Sequence, residues 1–443
     1  MVFATIKSKK GVERIIMINP YVFIKKHGII FTAKRLQSHL EAYGLLYTLT
    51  KIFGKNSNSS GINNQCFSID YLKNYNFILE TNYFEFNQKD FLSNNEQIIL
   101  NWIIPEMGTS SGGHINIFRF IEMLAHKGIL NRIYIYDLNP KTKASDLVAF
   151  VEKYYRVKSN KNIVFDTDIS KMKYAHGVFA TSWQTAYFAK NFDNCLRKFY
   201  FVQDFEPSFF AQGSLYSFAE NTYKFGFFGI TAGKWLEQKL HDEYGMETQG
   251  YFFSYDKNLY KKKDKRDTVK RIFFYFRPCT ERRAAELGIL ALSRLKKMMP
   301  EVEVWFAGWD VSGYSIPFAF KDLGVLKLDQ LCDVYSQCDM CLVLSTTNLS
   351  LLPLEVMASN SVVVTNSGKN SEWLLNNSNA IISECDPLCI AEKIFYYFSH
   401  VEELAKIREN GLKFAEKTSW ENAGEVVYKT IIHQINLAKG LRS

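Results

Sequence analysis

From about residue 96 the chain alternates short apolar runs with longer segments of helical period, and it does so twice. Few folds accommodate that pattern. Strands separated by helices must run parallel, and a parallel sheet needs helices on both faces. Residues 98–104 read as a buried strand. Residues 114–127 read as a helix, with Ile117, Phe118, Ile121, Leu124 and Ala125 on one face and Gly128 as its stop signal. Strands follow at 132–138, 163–165, 177–181, 199–202 and 228–231. A charged stretch at 261–267 interrupts the series, and the pattern then restarts. Residues 271–276, 302–307 and 340–344 read as strands, and 281–298 as a helix. The expected fold class is α/β, with two doubly wound domains and a site in the cleft between them.

The chain has 443 residues, 47% of them hydrophobic, enough for two or three cores and unlike a disordered protein. Four parts are expected: a basic extension over 1–95, domains over 96–262 and 268–425, and a terminal helix over 426–443 crossing back to the first domain. No apolar run reaches the roughly 18 residues of a spanning helix, and no signal peptide is expected, so the predicted location is cytoplasmic. The net charge of +9 concentrates before position 56, where basic residues alternate with apolar patches such as 15–18. Two readings stand for this segment. One is an amphipathic surface in peripheral contact with the inner face of the membrane. The other is an ordinary solvated helix on the main body. No recognition module accompanies the charge, so nucleic acid is not an expected partner. Cys338 and Cys341 have C-x-x-C spacing but lead into an apolar strand, which favours buried thiols over a metal pair.

Four loops carry candidate chemistry. After the first strand, residues 105–114 end in Ser111-Gly112-Gly113-His114, where glycines let a ligand approach the backbone at a helix start. Arg277 and Arg282 follow the strand at 271–276, and two cations at this spacing can clamp a diphosphate. Asp204 and Glu206, in Phe201-Val202-Gln203-Asp204-Phe205-Glu206-Pro207, stand at a strand end where they are expected to meet a sugar or acceptor. Residues 345–360 run from a strand through Thr347, Asn348 and Leu351 into a short helix bearing Glu355. Asp166 and Asp168 have D-x-D spacing, for which a helix N-cap is the better reading than a metal site.

The segment 345–360 resembles the nucleotide-sugar motif of retaining glycosyltransferase family 4. Glu355 matches the second acid of its E-x7-E pair, and Thr347 stands where the first acid would be. Arg277 and Arg282 resemble the family's Arg-x4-Lys pair. Together with the segments at 201–207, 229–233, 307–309 and 366–373, the chain over about 98–430 resembles bacterial rhamnosyltransferases acting on surface-layer glycans. The resemblance implies a GT-B fold of two Rossmann-like domains. It also implies transfer of a sugar, first of all rhamnose from dTDP-rhamnose, to a glycan or lipid-linked saccharide with retention. Arg277, Arg282 and Glu355 would be catalytic. Gly112, Gly113, Thr347, Asn348 and Leu351 would bind the donor, and His114, Asp204 and Glu206 would contact acceptor or sugar. No cofactor and no metal are expected. The alternatives are a non-catalytic glycan-binding scaffold, in view of Thr347, and a GT-B nucleotide-sugar epimerase or phosphorylase.

Overall fold

The computed structural model describes residues 73–440 except 81–83, 95–96, 110, 137–138, 140 and 159, together with two strands near the start of the chain. Those strands, β1 (Val2–Lys7) and β2 (Glu13–Ile18), pair antiparallel with Val2 opposite Ile18. The apolar stretch 15–18, read from sequence within a helical pattern, thus lies on a strand. A run of β-branched residues favours an extended backbone. The rest of the basic extension through residue 72, including the region expected to meet a membrane, falls outside the described residues.

A second unit begins at Lys73, earlier than the boundary near 95 drawn from composition. The reason is aromatic packing. Phe77 is buried, stacks on Phe188 and meets Trp183 and Tyr187 edgewise or tilted, while Phe84 bridges to Phe192. This unit contains both expected domains. The first is a seven-stranded parallel sheet built from β3 (Ile99–Ile104), β4 (Leu130–Ile135), β5 (Ile163–Asp166), β6 (Ala175–Ala180), β7 (Cys195–Val202), β8 (Phe228–Ala232) and β9 (Thr248–Tyr251). Their order is β5-β4-β3-β6-β7-β8-β9. Trp102 of β3 stacks on Phe179 of β6 at 4.0 Å, and Phe179 stacks on Phe199 of β7 at 4.7 Å. These buried rings run across the sheet and join its central strands.

The second domain repeats the design. Strands β10 (Arg271–Tyr275), β11 (Glu303–Ala307), β12 (Lys321–Asp322), β13 (Met340–Leu342), β14 (Val362–Asn366) and β15 (Ile381–Ser383) form a parallel sheet ordered β12-β11-β10-β13-β14-β15. In both sheets the first strand lies inside, and the chain winds away from it first to one side and then to the other. The carboxyl ends of the neighbours β10 and β13 are therefore the switch point beside which a doubly wound sheet has its crevice. One expected helix divides in two. Glu281–Arg283 forms a 3-10 turn, Ala284 takes a left-handed backbone (φ +47°), and the helix proper is Ala285–Met298. Arg282 thereby sits on a separate turn beside the crevice and not on the helix.

The last helix, Trp420–Gly440, packs on β7, β9 and the Gly112–His126 helix of the first domain. Arg119 lies 4.1 Å from the Trp420 ring centroid, and Lys127 pairs with Glu425 at 2.6 Å. No helix among the described residues is long and apolar enough to cross a membrane.

Candidate active site

The crevice beside β10 and β13 is lined by two loops whose backbones are strained. Ala284 and Ser350 both have positive φ, +47° and +66°, a conformation that costs a side-chain-bearing residue about 1 kcal/mol or more. Strain of this kind persists only where surrounding contacts enforce it. Here the turn at 345–348 is held from several sides. Asn366 accepts the Ser345 N–H at 2.9 Å and donates to the Ser345 carbonyl. Asn370 donates to the carbonyls of Ser345 (2.9 Å) and Thr347 (2.7 Å). The Thr346 N–H donates to the Arg282 carbonyl at 2.8 Å, which ties the two crevice loops together.

Three guanidiniums gather on this frame. Arg277 is partly buried, its Nη1 donating to the Tyr275 hydroxyl at 3.3 Å, while its Nε is buried without a protein partner. Arg282 lies 3.3 Å (Nε) from Asp204 Oδ2, with its guanidinium carbon 4.1 Å from the Phe209 ring centroid. Arg283 donates to the Asn348 carbonyl at 3.3 Å. Burial, then the positive charge of Arg282, pushes the Arg283 pKa down, and Arg277 adds to the effect. Positive charge crowded to this degree suits a multivalent anion. Sequence reasoning assigned roles to Arg277 and Arg282 and left Arg283 out. The doublet Arg282-Arg283 was visible, but only the break at Ala284 places both side chains beside the crevice.

Glu355 stands in the first turn of the short helix Leu352–Ala358, whose start is set by Leu351 and by Pro353. Burial pushes its carboxyl up to about 7, against the pull of the Tyr260 hydroxyl and the Arg119 guanidinium. Leu351 is half-buried against the core and accepts the Glu355 N–H at 3.2 Å. Gly112 and Gly113 are exposed at the opening of their helix, and a Cβ built on Gly112 would meet open space. His114 is partly buried, its ring parallel to that of Tyr155 at 6.2 Å, and burial lowers its pKa to about 4. His176 is a core residue of β6 that accepts the Ile99 N–H at 3.1 Å.

Several side chains expected to meet substrate are engaged elsewhere. Thr347 is 1% exposed and donates to Asp204 Oδ2 at 3.0 Å. Asn348 is 2% exposed, and its amide donates to the carbonyls of Gln203 (3.1 Å) and Ala232 (2.8 Å). Both therefore join the second domain to the first. Glu206 turns away from the crevice, because its carboxylate accepts the Trp183 N–H at 2.8 Å and the Tyr200 hydroxyl at 3.1 Å inside the first domain. Asp204, two residues earlier, faces the second domain. Asp168 caps the 3-10 turn Ile169–Lys171 through the Ser170 N–H. Cys338 and Cys341 are buried free thiols, and burial pushes Cys341 up to about 12. Among the described residues no group of three or more His, Cys, Asp or Glu is placed to hold a metal ion.

Burial also pushes Glu206 up to about 7 from an ordinary 4.5, with the Asp204 charge adding to the rise and Trp183, Tyr200 and Arg282 opposing it. The native state then keeps a proton that the unfolded chain has already lost. Stability tied to this group is greatest below pH 4.5 and falls as pH rises toward 7. Glu206→Gln keeps an acceptor for Trp183 and removes that ionisation. Its stability advantage over the parent is expected to grow from near zero at pH 4.5 to about 3 kcal/mol at pH 8, measured by urea unfolding. A difference that does not change with pH would contradict the assignment.

Comparison with known structures places the architecture. Sucrose-phosphate synthase from Thermosynechococcus elongatus superimposes with a TM-score of 0.59 at 11% identity, over 77% of this chain and 100% of that one. Anabaena Alr3699/HepE, solved with UDP and glucose, gives 0.59 at 13% identity, over 76% of this chain and 100% of that one. TarM of S. aureus gives 0.60 at 10% identity, over 77% and 99%. The fold is GT-B. Within the GT-B frame, residues 270–395 match the family described as WsaF, C-terminal domain, which covers the second sheet and both crevice loops. The O-antigen biosynthesis protein RfbC of Myxococcus xanthus is 31% identical over 341 residues, 75% of this chain. The chain spans 27% of that protein's length.

Proposed function

We propose that this chain is a glycosyltransferase that moves a sugar from a nucleoside diphosphate to a growing cell-surface glycan with retention. Rhamnose from dTDP-rhamnose is the first candidate donor, and a glycan or lipid-linked saccharide is the acceptor. The observation that carries the reading is the gathering of Arg277, Arg282 and Arg283 at the crevice of the second sheet, opposite the first domain. A diphosphate leaving group gains negative charge as its bond to the sugar breaks, and fixed cations favour that state over the bound ground state. The O-antigen relative and the solved UDP complex of HepE support the same reading.

In this reading Glu355 receives the ribose hydroxyls and the three arginines receive the diphosphate. The exposed Gly112–Gly113 helix start admits the sugar and the acceptor to the opposite wall. Retention follows from front-face attack, in which the acceptor hydroxyl gives its proton to the departing phosphate oxygen. No protein base is then required, which agrees with Glu206 lying inside the first domain.

A thermal-shift series with dTDP, UDP, GDP and their sugars tests the donor site, because a ligand bound to the native state raises its melting temperature. One nucleoside diphosphate is expected to stabilise the chain selectively. Glu355→Ala is expected to lose most of that shift. A series in which no nucleotide acts on the parent would overturn the reading.

A further inference from the structure

Asp204 is the only first-domain carboxylate among the described residues that the structure pairs with an arginine of the crevice loops. It is 9% exposed and uses both oxygens. Oδ2 accepts the Thr347 hydroxyl at 3.0 Å and lies 3.3 Å from Arg282 Nε. Oδ1 accepts the N–H groups of Asn348 (3.0 Å) and Phe205 (2.9 Å). Arg282 is anchored in the second domain by its backbone, yet the side chains lying against its guanidinium, Asp204 as an ion pair and Phe209 through its ring, belong to the first. The circuit closes through the second domain, since the Thr346 N–H donates to the Arg282 carbonyl and Arg283 donates to the Asn348 carbonyl.

We propose that Asp204 is a positioning residue that assembles the anion site across the domain boundary, aiming Arg282 and seating the 345–348 turn of the opposite domain. The inference rests on the donor reading above and deepens it. If the domains part, Arg282 loses its orienting carboxylate and its aromatic support together, so the site is complete only with the domains in this relation. The hydroxyl at position 347 belongs to the same arrangement. A carboxylate there would face Asp204 at about 3 Å, and two like charges that close cannot both remain ionised at no cost. Thr347 instead donates to the acid opposite.

The test is a cycle of Asp204→Asn, Arg282→Ala and the double variant, read as kcat and KM for the donor sugar nucleotide and as calorimetric Kd for dTDP and UDP. Misplacing a charged group by about 1 Å can cost about 100-fold in rate. Asp204→Asn is expected to lower kcat by about 10- to 100-fold, and adding Arg282→Ala is expected to cost little more. Losses that multiply in the double variant would overturn the proposal, because Asp204 would then not act through Arg282. If Asp204→Asn does not fold, the exchange Asp204→Thr with Thr347→Asp decides. Recovery of folding and of at least tenfold in turnover over Thr347→Asp alone supports the pairing, and no recovery overturns it. Should the parent turn over no sugar nucleotide, the donor reading fails by itself. The cycle is then read on nucleotide Kd alone, where non-multiplying losses are still expected.

Discussion

Arg277→Ala is expected to lower kcat/KM by about 1000-fold while leaving the melting temperature of the free protein nearly unchanged. The two effects have separate causes. In the proposed reading Arg277 is a fixed donor aimed at developing charge, and removing one such donor costs about 100- to 1000-fold in rate. Arg282 and Arg283 are already engaged with other groups, Asp204 and the Asn348 carbonyl respectively. Stability is a different matter, because Arg277 gives the fold little. Its Nη1 donates to the Tyr275 hydroxyl at 3.3 Å, and its Nε has no protein partner. Its charge adds to the field that depresses Arg283, which offsets part of what the Tyr275 contact contributes. Arg277→Lys keeps the charge without the planar fork and is expected to fall between parent and alanine. Steady-state kinetics beside a melting curve checks both halves. A variant that melts early and loses activity in proportion would show a structural arginine instead.

Gly233→Ala is expected to destabilise the protein by about 3 kcal/mol or more, through overpacking and backbone strain combined. Gly233 follows β8 with φ +96°, a conformation that strains any residue with a Cβ. The added Cβ would also lie 2.4 Å from two ring carbons of Trp373, which belongs to the second domain. Trp373 packs edgewise on Phe252 (5.6 Å) and Phe253 (5.3 Å), so retreat of the indole would disturb both contacts. The neighbouring Ala232 carbonyl accepts the Asn348 amide, which brings the same contact to the edge of the crevice. In a cycle with Trp373→Ala, the double variant is expected to lose less than the sum of the singles, since the clash needs both side chains. Additive losses in urea unfolding would mean that backbone strain acts alone.

The contrast between Asp204 and Glu206 shows where sequence reading stops. Both follow β7 within four residues, both are acidic, and both were expected to meet a sugar. A 3-10 turn at Glu206–Phe209 rotates one inward to Trp183 and Tyr200, while the other faces Thr347. Nothing in the residue order distinguishes them, because Glu206 meets partners 6 and 23 residues away and Asp204 one 143 residues away, contacts that only folding selects. The division of the expected 281–298 helix has a similar origin. Its residues suit a helix, and contacts from Thr346 to the Arg282 carbonyl accompany the left-handed turn at Ala284.

Residue pattern alone determined the two parallel sheets, because apolar runs of strand length separated by amphipathic helices pack in few other ways. It also brought Arg277, Arg282 and Glu355 to strand ends and helix starts on one sheet, since a doubly wound sheet sends such loops to its carboxyl edge. Only the tertiary structure decided which side chains face the crevice. It added Arg283 to the arginines, turned Glu206 into the core and joined Thr347 and Asn348 to Asp204. Those outcomes depend on hydrogen bonds whose geometry exists only once each domain has folded and, for Thr347 and Asn348, only once the two sheets meet.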